Sequence, residues 1–118
     1  YVTLPHGEGW ALGMFDAATR GTPVIATGWG GHVDYLGTAW PGAVPYRLAR
    51  APVWPPELPS FWPSQRWAEP DLEAAIAAMR AIVEDPAPHR AAAAATAERI
   101  ANRYAEPVVA REFLAALE

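Results

Sequence analysis

The order of apolar runs and helical patterns in the first quarter of the chain constrains its fold more than any other feature. An apolar run at residues 1–5 leads into a turn rich in glycine at residues 5–9, and a second apolar run follows at residues 23–27. Between them, apolar residues recur at the i, i+3, i+4, i+7 spacing of a helix: Ala11, Met14, Phe15 and Ala18. Gly21 is placed to end that helix. We therefore predict a βαβ unit and an α/β fold with a buried parallel sheet.

The remaining sequence predicts one more strand and a loop. A short helical turn is expected at residues 32–37, and the alternating residues 44–48 predict a third strand that Pro45 confines to an edge or a bulge. Residues 50–68 contain five prolines among large aromatic side chains, which favours an ordered, extended loop over a disordered linker. The expected fold is therefore a partial Rossmann-like sheet of about three strands with flanking helices.

A helical tail is predicted for residues 69–118. Three prolines stand where a first helical residue is expected: Pro70, Pro86 and Pro107. They predict helices from Pro70 onward, over roughly 88–104 and over 107–118. The first of these has an apolar face of six residues: Leu72, Ala75, Ile76, Met79, Ile82 and Val83.

Length and composition exclude several classes of protein. The 118 residues suffice for one small domain, 1–118, and the chain starts inside a strand, so we expect a fragment of a larger protein. A net charge of -4 argues against binding to nucleic acid or to an anionic membrane. Without cysteine, thiol nucleophiles and Cys-ligated zinc sites are excluded. No segment is apolar enough to span a membrane, and a cytoplasmic protein is expected.

The densest group of polar residues lies in the first turn, with His6 and Glu8 followed by Asp16. Ligands of parallel α/β sheets bind at the carboxyl ends of strands, where helix N-termini present N–H groups to anions such as a diphosphate. Gly7 and Gly9 would let the backbone approach such a ligand closely. Two structural alternatives remain open: Glu8 stabilises the helix dipole, or Asp16 pairs with Arg20.

Other patterns are weaker. His6, His32, Glu8 and Asp34 could be imagined around a metal, but their spacing does not support a site. Gly28-Trp29-Gly30 is an incomplete dinucleotide fingerprint. Residues 52–59 have the spacing of polyproline ligands, although their tryptophan more often packs on its own domain.

The segment from Glu8 to Thr27 resembles the signature of retaining glycosyltransferases of family 4. In that signature Glu-Gly-Phe-Gly-Leu is followed after three residues by Glu-Ala, and Gly-x-Pro-Val begins the next strand. The corresponding residues here are Glu8-Gly9-Trp10-Ala11-Leu12, Asp16-Ala17 and Gly21-Thr22-Pro23-Val24. The segments 66–72 and 80–86 resemble later parts of the same domain, so the likeness covers most of the chain.

The resemblance implies a GT-B enzyme whose C-terminal domain binds a nucleotide-diphosphate sugar. Glu8 would be the catalytic residue beside the donor hexose, and Asp16 would bind the ribose hydroxyls. Backbone groups around Trp10, Ala11 and Leu12 would meet the hexose and the phosphates. The predicted donor-binding set is His6, Gly7, Gly9, Trp10, Ala11, Leu12 and Asp16, with no metal or other cofactor.

Two positions depart from the family pattern: Asp16 stands where Glu is usual, and Ala11 replaces the second glycine. The acceptor-binding domain and the cationic pair that holds the diphosphate would precede Tyr1, so we expect the isolated chain to be inactive. Two other functions remain open. One is a non-catalytic α/β interaction module that contacts a partner through residues 50–68 and its alanine-rich helices, and the other is a nucleotide-binding protein of Rossmann type.

Overall fold

The computed structural model describes residues 1–52 and 65–117. Its elements, in chain order, are β1 (Val2–Thr3), α1 (Leu12–Thr19), β2 (Ile25–Thr27), α2 (Val33–Leu36), β3 (Ala43–Val44), β4 (Tyr46–Arg50), β5 (Arg66–Pro70), α3 (Leu72–Glu84), α4 (Pro86–Arg103) and α5 (Glu106–Ala115). The class is α/β, as predicted. None of the described helices is long and apolar enough to cross a bilayer.

The predicted βαβ unit is confirmed. β1, β2 and β3 form a parallel sheet in that order, with Val2 beside Ile25 and Ala26 beside Ala43. The three residues of β2 are fully buried because helices cover both faces of the sheet. Gly21 ends α1 as predicted, with a φ of 69° that suits glycine.

The apolar core has one part on each face of the sheet. On one face, helices α1, α2 and α4 enclose Met14, Tyr35 and Ile100. On the other face, Ala75 of α3 packs against Ile25 and Val44 of the sheet. This arrangement leaves the loops that follow β1 and β2 side by side at the carboxyl edge of the sheet.

The region after β3 differs from the sequence prediction. Pro45 divides the predicted third strand, so that residues 43–44 belong to the parallel sheet and residues 46–50 to a separate antiparallel hairpin with β5. The prediction of a loop over 50–68 is wrong at both ends, where Arg50 and Arg66–Ala68 are strand residues. Residues 53–64, which hold most of the predicted polyproline ligands, lie outside the described residues.

The C-terminal segment forms three helices, as predicted, but one proline was assigned the wrong role. Pro70 is the last residue of β5, where it pairs with Tyr46, and α3 begins two residues later. Asp71 caps that helix because its side chain accepts a hydrogen bond of 3.1 Å from the Ala74 N–H. Pro86 does occupy the first turn of α4, and Pro107 that of α5.

Candidate functional site

The predicted site lies where two glycine-rich loops meet. The Gly31 N–H donates to the Glu8 carbonyl oxygen at 3.0 Å, which joins the β2–α2 loop to the β1–α1 loop. A β-carbon at Gly31 would clash with the Gly9 carbonyl oxygen. A β-carbon at Gly30 would lie 2.8 Å from the Glu8 carbonyl oxygen. The glycines at residues 28–31, considered above as part of a dinucleotide fingerprint, therefore permit close contact between two loops.

The N-terminus of α1 is open to a ligand. The first hydrogen bond of the helix runs from the Phe15 N–H to the Ala11 carbonyl oxygen, at 2.9 Å. The three preceding amides, those of residues 12–14, form no backbone hydrogen bond with the described residues, and no side chain caps the helix. Residues 12 and 13 are exposed, whereas Met14 is fully buried. The amides of residues 12 and 13, together with the positive end of the helix dipole, therefore form an environment that suits an anion.

Ala11 has a backbone conformation that an L-amino acid rarely adopts. Its φ of 59° and ψ of 67° lie in the left-handed region. Glycine adopts this conformation without the steric cost of a β-carbon, which is about 1 kcal/mol or more for other residues. The position where the signature usually has its second glycine is therefore the one where the loop turns into the helix.

Glu8 is exposed, and its carboxylate lies near the buried ring of Tyr35. Its Oε1 atom accepts a hydrogen bond of 3.0 Å from the Gly9 N–H. Burial raises the pKa of the Tyr35 hydroxyl well above its ordinary value, and the negative charge of Glu8 raises it further. Residues 9–11 separate Glu8 from Leu12, the first residue of α1. The Glu8 carboxylate therefore accepts a hydrogen bond from the loop amide of Gly9 rather than from the amides of α1.

Asp16 lies in the second turn of α1, with its side chain exposed. The alternative of an Asp16–Arg20 ion pair is not realised: the Arg20 guanidinium donates to the Asp16 backbone carbonyl oxygen at 3.1 Å instead. No described residue forms a hydrogen bond or ion pair with the Asp16 carboxylate, so both of its oxygens remain available. The helix starts at Leu12 rather than near Gly9, which places Asp16 one turn beyond the open amides.

The side chain of Trp10 packs inside the protein. Its ring lies 5.2–5.6 Å, between centroids, from three other aromatic rings: Phe15, Tyr35 and Tyr104. These contacts fix the loop against α1, α2 and α4. The side chain of Trp10 is therefore engaged in packing, and the predicted donor-binding role of this residue falls to its backbone groups.

His6 is directed toward the β4–β5 hairpin, which the sequence did not predict. Its ring stacks on Trp67 with 4.1 Å between centroids, and its Nε2 atom lies 3.5 Å from a carboxylate oxygen of Glu69. The Ala68 N–H donates to the His6 carbonyl oxygen at 2.8 Å. At Gly7 and Gly9, by contrast, no atom of the described residues other than the chain neighbours lies within 4 Å of the position that a β-carbon would occupy.

The residues considered for a metal do not assemble. His32 is fully buried, and its Nε2 lies 2.7 Å from the Thr27 carbonyl oxygen, whereas Asp34 is exposed. Across residues 1–52 and 65–117, no group of three or more His, Asp or Glu side chains is placed to hold a metal ion. His32 instead holds the β2–α2 loop against the strand from which it emerges.

No family model, curated protein or solved structure was found to match the chain. The function is therefore inferred from its own residues and their geometry.

Proposed function

We propose that this chain is the donor-binding part of a retaining, cytoplasmic glycosyltransferase of the GT-B type, which uses a nucleotide-diphosphate sugar. The observation that carries the proposal is the combination of groups at α1. An exposed Glu8 carboxylate precedes two exposed residues, 12 and 13, whose amides are open to an anion, and the available Asp16 carboxylate follows one turn later. The signature that this segment resembles has acidic residues at the same two positions.

Each group has a chemical role that suits this donor. The amides of residues 12 and 13 bind the diphosphate, and Asp16 accepts two hydrogen bonds from the ribose hydroxyls. In the transfer step the bond between the sugar C1 and the diphosphate oxygen breaks, the oxygen of the acceptor hydroxyl bonds to C1 on the same face, and the hydroxyl proton passes to the departing diphosphate oxygen. Negative charge grows on the leaving diphosphate, and donors aimed at that charge lower the barrier. Glu8 lies beside the hexose in this arrangement.

Measurements of nucleotide binding test the role of Asp16, and measurements of sugar transfer test the role of Glu8. In the 118-residue chain, we expect UDP, GDP or ADP to bind saturably in calorimetry, and Asp16→Ala to weaken that binding by about tenfold to a hundredfold through loss of charge-assisted hydrogen bonds. In the enzyme that contains this chain and an acceptor domain, Glu8→Gln should depress transfer while nucleotide affinity is retained. Glu98→Gln, a change on the exposed face of α4, is the matched control. Normal transfer in both acidic-site variants would contradict the proposal.

Exposed apolar side chains favour a second candidate, the non-catalytic interaction module. Val83 of α3 is 82% exposed, and Phe113 and Leu114 of α5 are 64% and 61% exposed. Such surface is typical of a protein that packs against a partner. The module predicts association of the chain in sedimentation experiments without nucleotide binding. A compact monomer that binds a nucleoside diphosphate would exclude it.

A further inference from the structure

A groove lies between the β4–β5 hairpin and the β1–α1 loop. We call this loop, which carries Glu8, the donor loop. The groove has a volume of about 550 Å³, within the range of small-molecule sites. Three separate segments line it: His6 and Gly7 from the β1–α1 loop, Trp29 from the β2–α2 loop, and Gln65, Arg66 and Trp67 from the hairpin. We call this site the hairpin groove.

The hairpin is fixed to the donor loop by contacts of three kinds. β5 pairs with β4 along one edge, and at its other edge the Ala68 N–H donates to the His6 carbonyl oxygen. The stack of His6 on Trp67 and the approach of His6 to Glu69 add side-chain contacts at the same place. The groove is therefore held in register with the loop that carries Glu8.

The walls of the groove combine aromatic faces with hydrogen-bond donors. Trp29 is 38% exposed and is supported from behind by Tyr46, with 5.4 Å between ring centroids. Trp67 is half-buried, and Gln65 and Arg66 beside it are exposed. An indole ring packs against the C–H face of a sugar ring, while amide and guanidinium groups bond to its hydroxyls and to any acidic substituent.

The charge pattern of the hairpin indicates an acidic ligand. Arg47 of β4 stands opposite Glu69, a favourable pair, but Arg50 stands directly opposite Arg66. Like charges in directly opposed positions repel each other. The described residues supply no carboxylate to either guanidinium, and an anion between them would relieve the repulsion.

We propose that the hairpin groove binds an acidic carbohydrate, with its ring against Trp29 and Trp67 and its carboxylate or phosphate at Arg66, whose positive charge is reinforced by Arg50 on the opposite strand. The groove adjoins the loop that holds Glu8 but is a site separate from the proposed donor site. Carbohydrate binding there does not depend on the proposed function, since no nucleotide takes part in it.

The test is an NMR titration of the 118-residue chain without nucleotide. The probes are glucuronate, glucose 6-phosphate, methyl glucoside, inorganic phosphate and uridine. We expect the indole N–H signals of Trp29 and Trp67 to shift with both acidic sugars, at an affinity about tenfold higher than for methyl glucoside. The Trp40 indole N–H, which is buried and bonded to the Val24 carbonyl oxygen at 3.0 Å, should stay unchanged and thereby report an intact fold.

Two variants make the result specific. Arg66→Gln should abolish the preference for the acidic sugars, whereas Arg80→Gln, on α3 and outside the groove, should preserve it. Equal affinity for methyl glucoside and glucuronate would overturn the proposal, as would the same indole shifts with inorganic phosphate alone. Shifts with uridine only would identify a nucleobase platform instead, and no shift with any probe would show that the groove is not a carbohydrate site. A nucleotide titration of the same sample tests the proposed function separately.

Discussion

At the scale of single residues, the junction of the two loops depends on the absence of a side chain at Gly31. There is no space for a β-carbon beside the Gly9 carbonyl oxygen, so any larger residue must push the loops apart. Because the same junction holds the Glu8 carbonyl oxygen, its displacement would also move the site.

We therefore expect Gly31→Ala to lower the free energy of unfolding by about 2 kcal/mol or more, as overpacking does elsewhere, and to weaken nucleotide binding. Gly7→Ala is the matched control, since no described residue other than its chain neighbours has an atom within 4 Å of its β-carbon position. It should leave the free energy of unfolding within about 0.5 kcal/mol of the parent value. Urea unfolding of the two variants checks both values, and equal stability would contradict the close contact.

The carboxylates of the candidate site are easier to recognise in the sequence than their surroundings. Glu8 and Asp16 stand out because their spacing and the residues between them resemble a family signature. The contacts of His6 were not predictable in this way, because Trp67 and Glu69 reach it only through a hairpin closed far along the chain. Local spacing carries no information about such long-range pairing.

At the scale of elements, α3 shows how far a periodic pattern specifies packing. The predicted apolar face divides into two stripes. Ala75, Ala78 and Ile82 pack on the sheet, while a second stripe is at least one-third exposed: Leu72 at 61%, Ile76 at 36%, Met79 at 38% and Val83 at 82%. Periodicity identifies apolar positions, but only the tertiary structure determines which of them are covered.

The two stripes should respond differently to the same substitution. Val83→Gln should change the free energy of unfolding by no more than about 0.5 kcal/mol, because the side chain is already in solvent. Ala75→Gln places a larger, polar side chain at a position that is 1% exposed, and should cost about 2 kcal/mol or more. Thermal or urea unfolding compares them directly. A large loss in Val83→Gln would mean that the second stripe is covered, for example in an oligomer.

The sequence prediction missed β5 because this strand, like the covered stripe of α3, is determined by tertiary contacts. Its sequence, Arg66-Trp67-Ala68-Glu69-Pro70, has one strongly apolar residue and ends in proline, which a ladder tolerates only where no N–H is required. What makes it a strand is its pairing with β4 and the backbone bond to His6, and both partners are remote in sequence. Asp71, by contrast, is a helix-capping residue that the sequence could have revealed in place of Pro70.

At the scale of the whole molecule, Tyr35 connects the proposed site to the stability of the fold. This residue of α2 is 1% exposed, its ring packs against Trp10 and against Phe15 of α1, and Arg99 of α4 donates to its carbonyl oxygen at 3.2 Å. A charge on this phenol would lie in the core beside the Glu8 carboxylate. Its ionisation is therefore coupled to unfolding of the domain as a whole.

Because the pKa of Tyr35 is raised in the folded state, its neutral form is favoured by folding. This contribution is complete below the ordinary tyrosine pKa of about 10 and is lost as the pH rises above it, since the unfolded chain releases the proton first. From this group alone, the free energy of unfolding should fall by about 1.4 kcal/mol in total between pH 9 and 11, and by about 1.4 kcal/mol per pH unit above that range. Tyr35→Phe removes the ionisable hydroxyl and should remove that part of the slope. Urea unfolding of both proteins between about pH 9 and 11 measures the difference, and curves that stay parallel across this range would show that Tyr35 is not the group responsible.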